Sequence, residues 1–268
     1  RKLGINRVSR GGQALEEKRL KWLGRVHSVD SVYRALEVLS DADIDRISVD
    51  YIVGVPEQNE SLIERELADL LQRFQNIDHV SAYLLTLQKT NSRYKELPND
   101  EVQLFHLRKV SQLLADRGFE QYEISNFAKE GKRSRHNSNY WTGGSYLGIG
   151  PSAHSYWQAL SKRTKNWSNL EKYQKSILEK RLPIEWEETL NQEQQRLENL
   201  MLSLRRKEGL DLRQHELRFG QKLYVDKRAS IDTWVKRGLC EWETQERPVL
   251  KLTREGFFLS DQIVSSLV

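Results

Sequence analysis

Residues 46–56 read "RISVDYIVGVP", eight strand-like residues closed by a Gly-x-Pro breaker. The run is β-branched and nearly continuous in apolar character, as in strands covered on both faces of a parallel sheet. One residue does not belong in such a run. A carboxylate at Asp50 is costly to bury unless it is paired or bound to a ligand. The stretch therefore predicts a buried strand, and within it either a structural ion pair or a ligand contact.

Working outward, strands and helices alternate. "GINRVS" (4–9) reads as a strand, "LEEKRLKWLG" (15–24) as a helix closed by Gly24, and "SVDSVYRALEVLSDA" (28–42) as a helix capped by Ser28 or Ser31. On the far side, "ESLIERELADLLQRF" (60–74) is an amphipathic helix and "HVSAYLLTL" (79–87) a strand. "DEVQLFHLRKVSQLLADRG" (100–118) is a helix with Asp100 as N-cap, "EQYEISNFA" (120–128) a strand, and "SYLGIG" (145–150) another. Strands separated by single helices at roughly 30-residue spacing predict βαβ units and a parallel sheet, in a β/α barrel or an open doubly wound form.

From about residue 186 the pattern changes. A long helix over 191–212 ending at Gly209 leads to helix, strand, the charged "TQERP" (244–248), strand and helix. That order predicts a small winged-helix-like α+β domain, with a boundary near residue 185. Its basic residues are mixed with Glu241, Glu243, Glu246 and Glu255, so nucleic acid is not the expected partner.

Composition narrows the classes. At 38% hydrophobic and 30% charged the chain is a folded, rather polar globular protein, and no apolar run reaches membrane-span length. The net charge of +5 permits an anionic ligand without demanding one. With one cysteine, Cys240, neither a disulfide framework nor a multi-cysteine metal site can be built, and a reducing cytoplasm is the expected setting. The chain begins at Arg1 and its one methionine is Met201, so an N-terminal part is expected to be missing. A barrel entered midway would leave an unpaired strand edge at residues 5–9, which invites association such as a homodimer.

In sheets of this kind ligand groups come from C-terminal strand ends. The rule selects Ser9, Gly11 and Gln13 after the first strand, Asp50, Gly54 and Pro56 at the second, Thr86 at the third, and Glu123, Ser125 and Asn126 at the fourth. Two further stretches stand out. "SRHNSNYW" (134–141) fits neither helical nor strand periodicity. His136 there is either part of a self-capping loop plugged by Tyr140 and Trp141, or an axial ligand beside a stacking wall for a planar macrocycle. "YLGIGPSAHSY" (146–156) is not a dinucleotide fingerprint. Its glycines read as close backbone packing and His154 reads equally as a satisfied core histidine.

"GINRVSRGGQ", "LGRVHS", "ISVDYIVGVPEQ", "HVSAYLLTL", "YEISNFA", "SRHNSNYW" and "YLGIGPSAHSY", in this order, resemble the radical S-adenosylmethionine (SAM) family of oxygen-independent coproporphyrinogen III oxidases. His136, Asn137, Tyr140 and Trp141 resemble its heme-chaperone branch rather than the oxidases proper. The resemblance implies a partial β/α barrel over residues 1–185 with the family's C-terminal domain over 186–268. It implies a SAM pocket using Gln13, Arg25 and Asp50, with Thr86 on the adenosyl side, heme near His136, Asn137, Tyr140 and Trp141, and an acceptor protein to receive the heme. It also implies a [4Fe–4S] cluster on a Cys-x3-Cys-x2-Cys loop, which this sequence does not contain. No catalytic residue is therefore expected in this chain. A coproporphyrinogen III oxidase and a cluster-free homologue are the alternative readings.

Overall fold

The computed structural model describes residues 4–243 and 248–268; most of the "TQERP" turn lies outside the described residues. Packing divides the chain into two compact units, residues 1–134 and 135–268. The boundary expected near residue 185 falls inside the second unit and stands as a proposal.

The first unit runs β1 (Arg7–Gln13), α1 (Glu17–Trp22), α2 (Val29–Asp41), β2 (Arg46–Val53), α3 (Glu60–Arg73), β3 (Ile77–Leu84), α4 (Asp100–Ala115), β4 (Glu120–Gln121) and β5 (Asn126–Ala128). Its five-stranded sheet has the order β1-β2-β3-β5-β4, with β1, β2 and β3 parallel. The expected strand over 120–128 is instead two short pieces, antiparallel to each other, and β5 is antiparallel to β3. The break falls at Tyr122–Ser125, where the Glu123 carboxylate accepts from the Ser125 backbone N–H and from the Asn126 side-chain amide.

Alternation along each strand gives the sheet two different faces. Ile47, Val49, Tyr51 and Val53 of β2, Val80 and Ala82 of β3 and Phe127 of β5 join one core with Val32 and Leu36 of α2, Ile63, Leu67 and Leu70 of α3, and Val110 and Leu114 of α4. Burying each such aliphatic side chain stabilises by roughly 1.5–3 kcal/mol. The helices start where asparagine or serine accepts from their first turn: Ser28 from Ser31 N, Asn59 from Leu62 N, and Asn99 from Val102 N. The cap of α4 is thus Asn99 rather than Asp100.

The second unit begins with α5 (Arg135–Trp141), followed by β6 (His154–Trp157), β7 (Lys162–Asn166), α6 (Leu170–Leu178) and β8 (Ile184–Thr189). β6, β7 and β8 form an antiparallel sheet that the sequence reading did not foresee. "SRHNSNYW" is a helix, not a loop: in seven residues the periodicity is too short to read, yet His136 and Tyr140 stack one turn apart. "SYLGIG" is not a strand. Tyr146 makes one isolated bridge to Tyr156, and Gly148 lies so close to β6 that a Cβ would sit 2.2 Å from the His154 carbonyl oxygen. Gly150 instead adopts φ +103°, a conformation for glycine. His154 is exposed on β6 rather than satisfied in a core.

The C-terminal elements are α7 (Gln192–Leu204), β9 (Leu210–Asp211), α8 (Leu212–Phe219), α9 (Leu223–Asp226), α10 (Arg228–Lys236), β10 (Cys240–Trp242), β11 (Val249–Leu252), α11 (Arg254–Phe258) and α12 (Ser260–Leu267). The small antiparallel sheet, order β10-β11-β9, gives the expected helix–strand–turn–strand–helix arrangement. Helix α7 stops at Leu204, short of Gly209, which is spent on a close approach to the Leu250 carbonyl.

Candidate functional site

The face of the first sheet opposite the helices is polar. Ser48 and Asp50 of β2, His79 and Ser81 of β3, and Asn126 of β5 point from it, because they occupy the positions that alternate with the core residues. They form two rows across the strands. In the inner row Ser48 Oγ is 2.8 Å from His79 Nδ1, and His79 Nε2 is 2.8 Å from the Tyr122 hydroxyl. That hydroxyl accepts from the Ser134 N–H at 3.3 Å. It therefore has its own hydrogen to give to Nε2, leaving Nδ1–H to donate to Ser48. Burial, with the Arg7 and Arg46 charges acting the same way, pushes His79 down to about 3, so the imidazole is neutral.

The outer row is nearer the C-terminal strand ends: Gly11, Asp50, Ser81 and Asn126 are successive register partners. Ser81 Oγ donates to Asn126 Oδ1 at 2.8 Å, and the Asn126 amide donates to the buried Glu123 carboxylate. Burial pushes Asp50 above the ordinary carboxyl range, while the Ser81 hydroxyl and the Arg7 charge act in the opposite direction.

Gln13 ends β1 at φ +63°, and its amide folds back over Gly11, where a Cβ would meet its Nε2 at 2.7 Å. The Gln13 amide thus lies beside Gly11, the register partner of Asp50. An amide and a carboxylate can together hold hydroxyl and amino groups of a ligand. Arg25 follows the Gly24 turn with an exposed side chain, and Thr86 is exposed two residues beyond β3. Neither makes a side-chain hydrogen bond to Gln13 or Asp50 among the described residues.

In the second unit α5 presents His136 to solvent, edge-on to Tyr140 at 4.9 Å and 88°. Tyr140 in turn stacks edge-on against Tyr146 at 4.6 Å. Trp141 lies under the Arg205 guanidinium at 4.0 Å. Asn137 is partly buried on the same helix. Beside α5 a cavity of about 310 Å³ is lined by Tyr140, Trp141, Tyr146, Tyr156, Arg163 and Arg206, among others.

Sequence reasoning passed over Ser48, His79 and Ser81. Their signal was available: Ser48-x-Asp50 and His79-x-Ser81 are polar residues at period two inside apolar strands. The cavity arginines gave no such signal, because Arg163 comes from β7 and Arg206 from the segment after α7, far apart in the chain.

Among the described residues no cluster of histidine, cysteine and carboxylate groups is arranged to hold a metal ion. An iron–sulfur cluster needs thiolates. Cys240 is buried in β10 and burial pushes its thiol up to about 12, so the residues of this chain do not fit one. No helix among the described residues is long and apolar enough to cross a membrane.

No family model matches the chain. It is 28% identical over 272 residues to the heme chaperone HemW of Bacillus subtilis, covering 99% of this chain and 70% of that protein. To the mitochondrial radical S-adenosyl methionine domain-containing protein 1 of Danio rerio it is 38% identical over 161 residues, 56% of this chain and 35% of that one. The coproporphyrinogen III oxidase HemN of Escherichia coli, described as a radical SAM enzyme, superposes with a TM-score of 0.77 at 18% identity, covering 98% of this chain and 64% of that one. That match shows the fold, an α/β chain whose first unit carries a mixed, largely parallel sheet. The chain is thus similar along nearly its whole length to a protein named as a heme chaperone, similar over about half of it to a radical SAM domain protein, and shares the fold of a coproporphyrinogen III oxidase.

Proposed function

We propose that this protein is a heme chaperone: it binds heme and hands it to an acceptor protein, in the cytoplasm. The observation that carries the reading is the helix Arg135–Trp141. It offers an exposed imidazole backed by an aromatic wall, in a chain that aligns over 99% of its length with a protein named for heme delivery. An imidazole can bind iron axially while flanking rings cover the macrocycle. An exposed site suits cargo that must leave again.

Gln13 and Asp50 are the residues suited to hold SAM, Gln13 through its amide and Asp50 through its carboxylate. Bound there, SAM would supply an adenosyl group and a methionine zwitterion to the polar sheet face, and its radical chemistry requires an electron source. Arg25 and Thr86, both exposed, would complete the pocket only by turning toward it.

Titrating the chain with hemin tests the proposal. A saturable Soret shift is expected, weakened at least about tenfold in His136→Ala if the imidazole supplies an axial bond. Retention of full affinity by that variant would remove His136 as ligand. Absence of any heme complex in the unaltered chain would overturn the function itself.

A further inference from the structure

Two residues that line the cavity beside α5 each carry a buried hydrogen-bond donor with nothing to bond. The Trp141 indole Nε1–H and the Arg206 Nε–H are both buried without a partner, and both residues line the same 310 Å³ space. A buried donor left unpaired costs the desolvation of that group, about 1–3 kcal/mol and more where it is charged. Two in one cavity call for a ligand that accepts.

The charges point the same way. Arg163, Arg206 and Arg218 reach the cavity against one carboxylate, Glu198, which is already paired with Arg163. Arg206 and Arg218 form no ion pair among the described residues. A volume near the bottom of the ~300–1,000 Å³ range of small-molecule sites admits an arm of a ligand rather than a macrocycle. Tyr140 and Trp141 line the cavity and also belong to the helix that carries His136, so the arm and the ring would share one wall.

We propose that this cavity is a carboxylate receptor: it takes an acidic side arm of a planar aromatic ligand, with Trp141 Nε1–H and Arg206 Nε–H as the donors. The inference rests on the heme reading, whose cargo carries two propionates on its periphery. It assigns Arg206, and not only α5, to the binding of that cargo, and it gives Trp141 a hydrogen-bonding role in addition to its ring.

The test compares hemin with hemin dimethyl ester, which keeps the iron and macrocycle but has no free carboxylate. Both are titrated into the unaltered chain, Arg206→Gln and Trp141→Phe. Hemin is expected to bind at least about tenfold more tightly than the ester. Arg206→Gln should lose most of that preference while its ester affinity stays unchanged and so reports an intact fold; Trp141→Phe should lose part of the preference. Equal affinity for acid and ester, or a full preference retained in Arg206→Gln, would overturn the proposal while leaving heme binding intact. If neither compound binds, the heme reading fails and this proposal with it.

Discussion

Arginine 19 is 2% exposed and ion-paired to Glu66, itself 6% exposed, between α1 and α3. The Tyr51 hydroxyl donates to the other Glu66 oxygen at 2.7 Å, and Gln58 donates to that hydroxyl at 3.0 Å. Arg19 also reaches the half-exposed Glu16 at 2.6 Å. Replacing Arg19 by Met keeps the aliphatic stem but leaves Glu66 with one neutral donor. Removing one partner of a buried pair costs about 3–5 kcal/mol. With a urea m-value of roughly 2 kcal/mol/M, the unfolding midpoint should fall by roughly 1.5–2.5 M. Burial already raises Glu66 above its ordinary value, and Arg19 is the main influence holding it down. Without Arg19 the raised pKa rises further. The native state then binds a proton that the unfolded state has released, so the variant loses stability as pH rises above the unfolded value of about 4.3. Urea titrations at pH 5 and pH 7.5 should show the deficit larger at pH 7.5, and adding Glu66→Gln should recover part of it. A deficit below about 1 kcal/mol, or one independent of pH and unrelieved by Glu66→Gln, would refute this account.

Two other outcomes can be checked on the same protein. Gly148→Ala would press a Cβ within 2.2–2.8 Å of the His154 backbone, which cannot swing aside. The cost is about 1–3 kcal/mol or more, and at roughly 3 °C per kcal/mol the melting temperature should drop by several degrees; a change within about 1 °C would refute it. His79 should stay neutral from pH 8 to below pH 5 in imidazole NMR shifts, since burial holds it near 3. An unfolded histidine takes a proton near pH 6.5, so His79 withdraws stability as pH falls from there toward 3. A native-state midpoint above 5 would contradict the buried geometry.

The parallel strands and their covering helices were legible because each is long enough to show its period: β2, β3, α2, α3 and α4 lie within a few residues of the sequence reading. Short elements defeated it. Helix α5 spans seven residues, and the 120–128 segment folds into an antiparallel hairpin through hydrogen bonds to Glu123 that no periodicity records. The site divides in the same way. Asp50 was conspicuous as a charge within an apolar strand, and Gln13 as a donor after two glycines. Arg206 was invisible, because what sets it apart is a missing partner in three dimensions.

The first sheet carries two interleaved messages on each strand. Residues on the helix side state the fold, and their neighbours on the other side state the chemistry, with one residue of each kind in every dipeptide step. Because the two sets touch different surroundings, either can drift while the other holds still. A descendant of such a sheet could lose Ser48, Asp50, His79 and Ser81 and keep its architecture. Likeness of fold in such sheets can therefore outlast the polar face, carried by residues such as Ile47, Val49 and Val53.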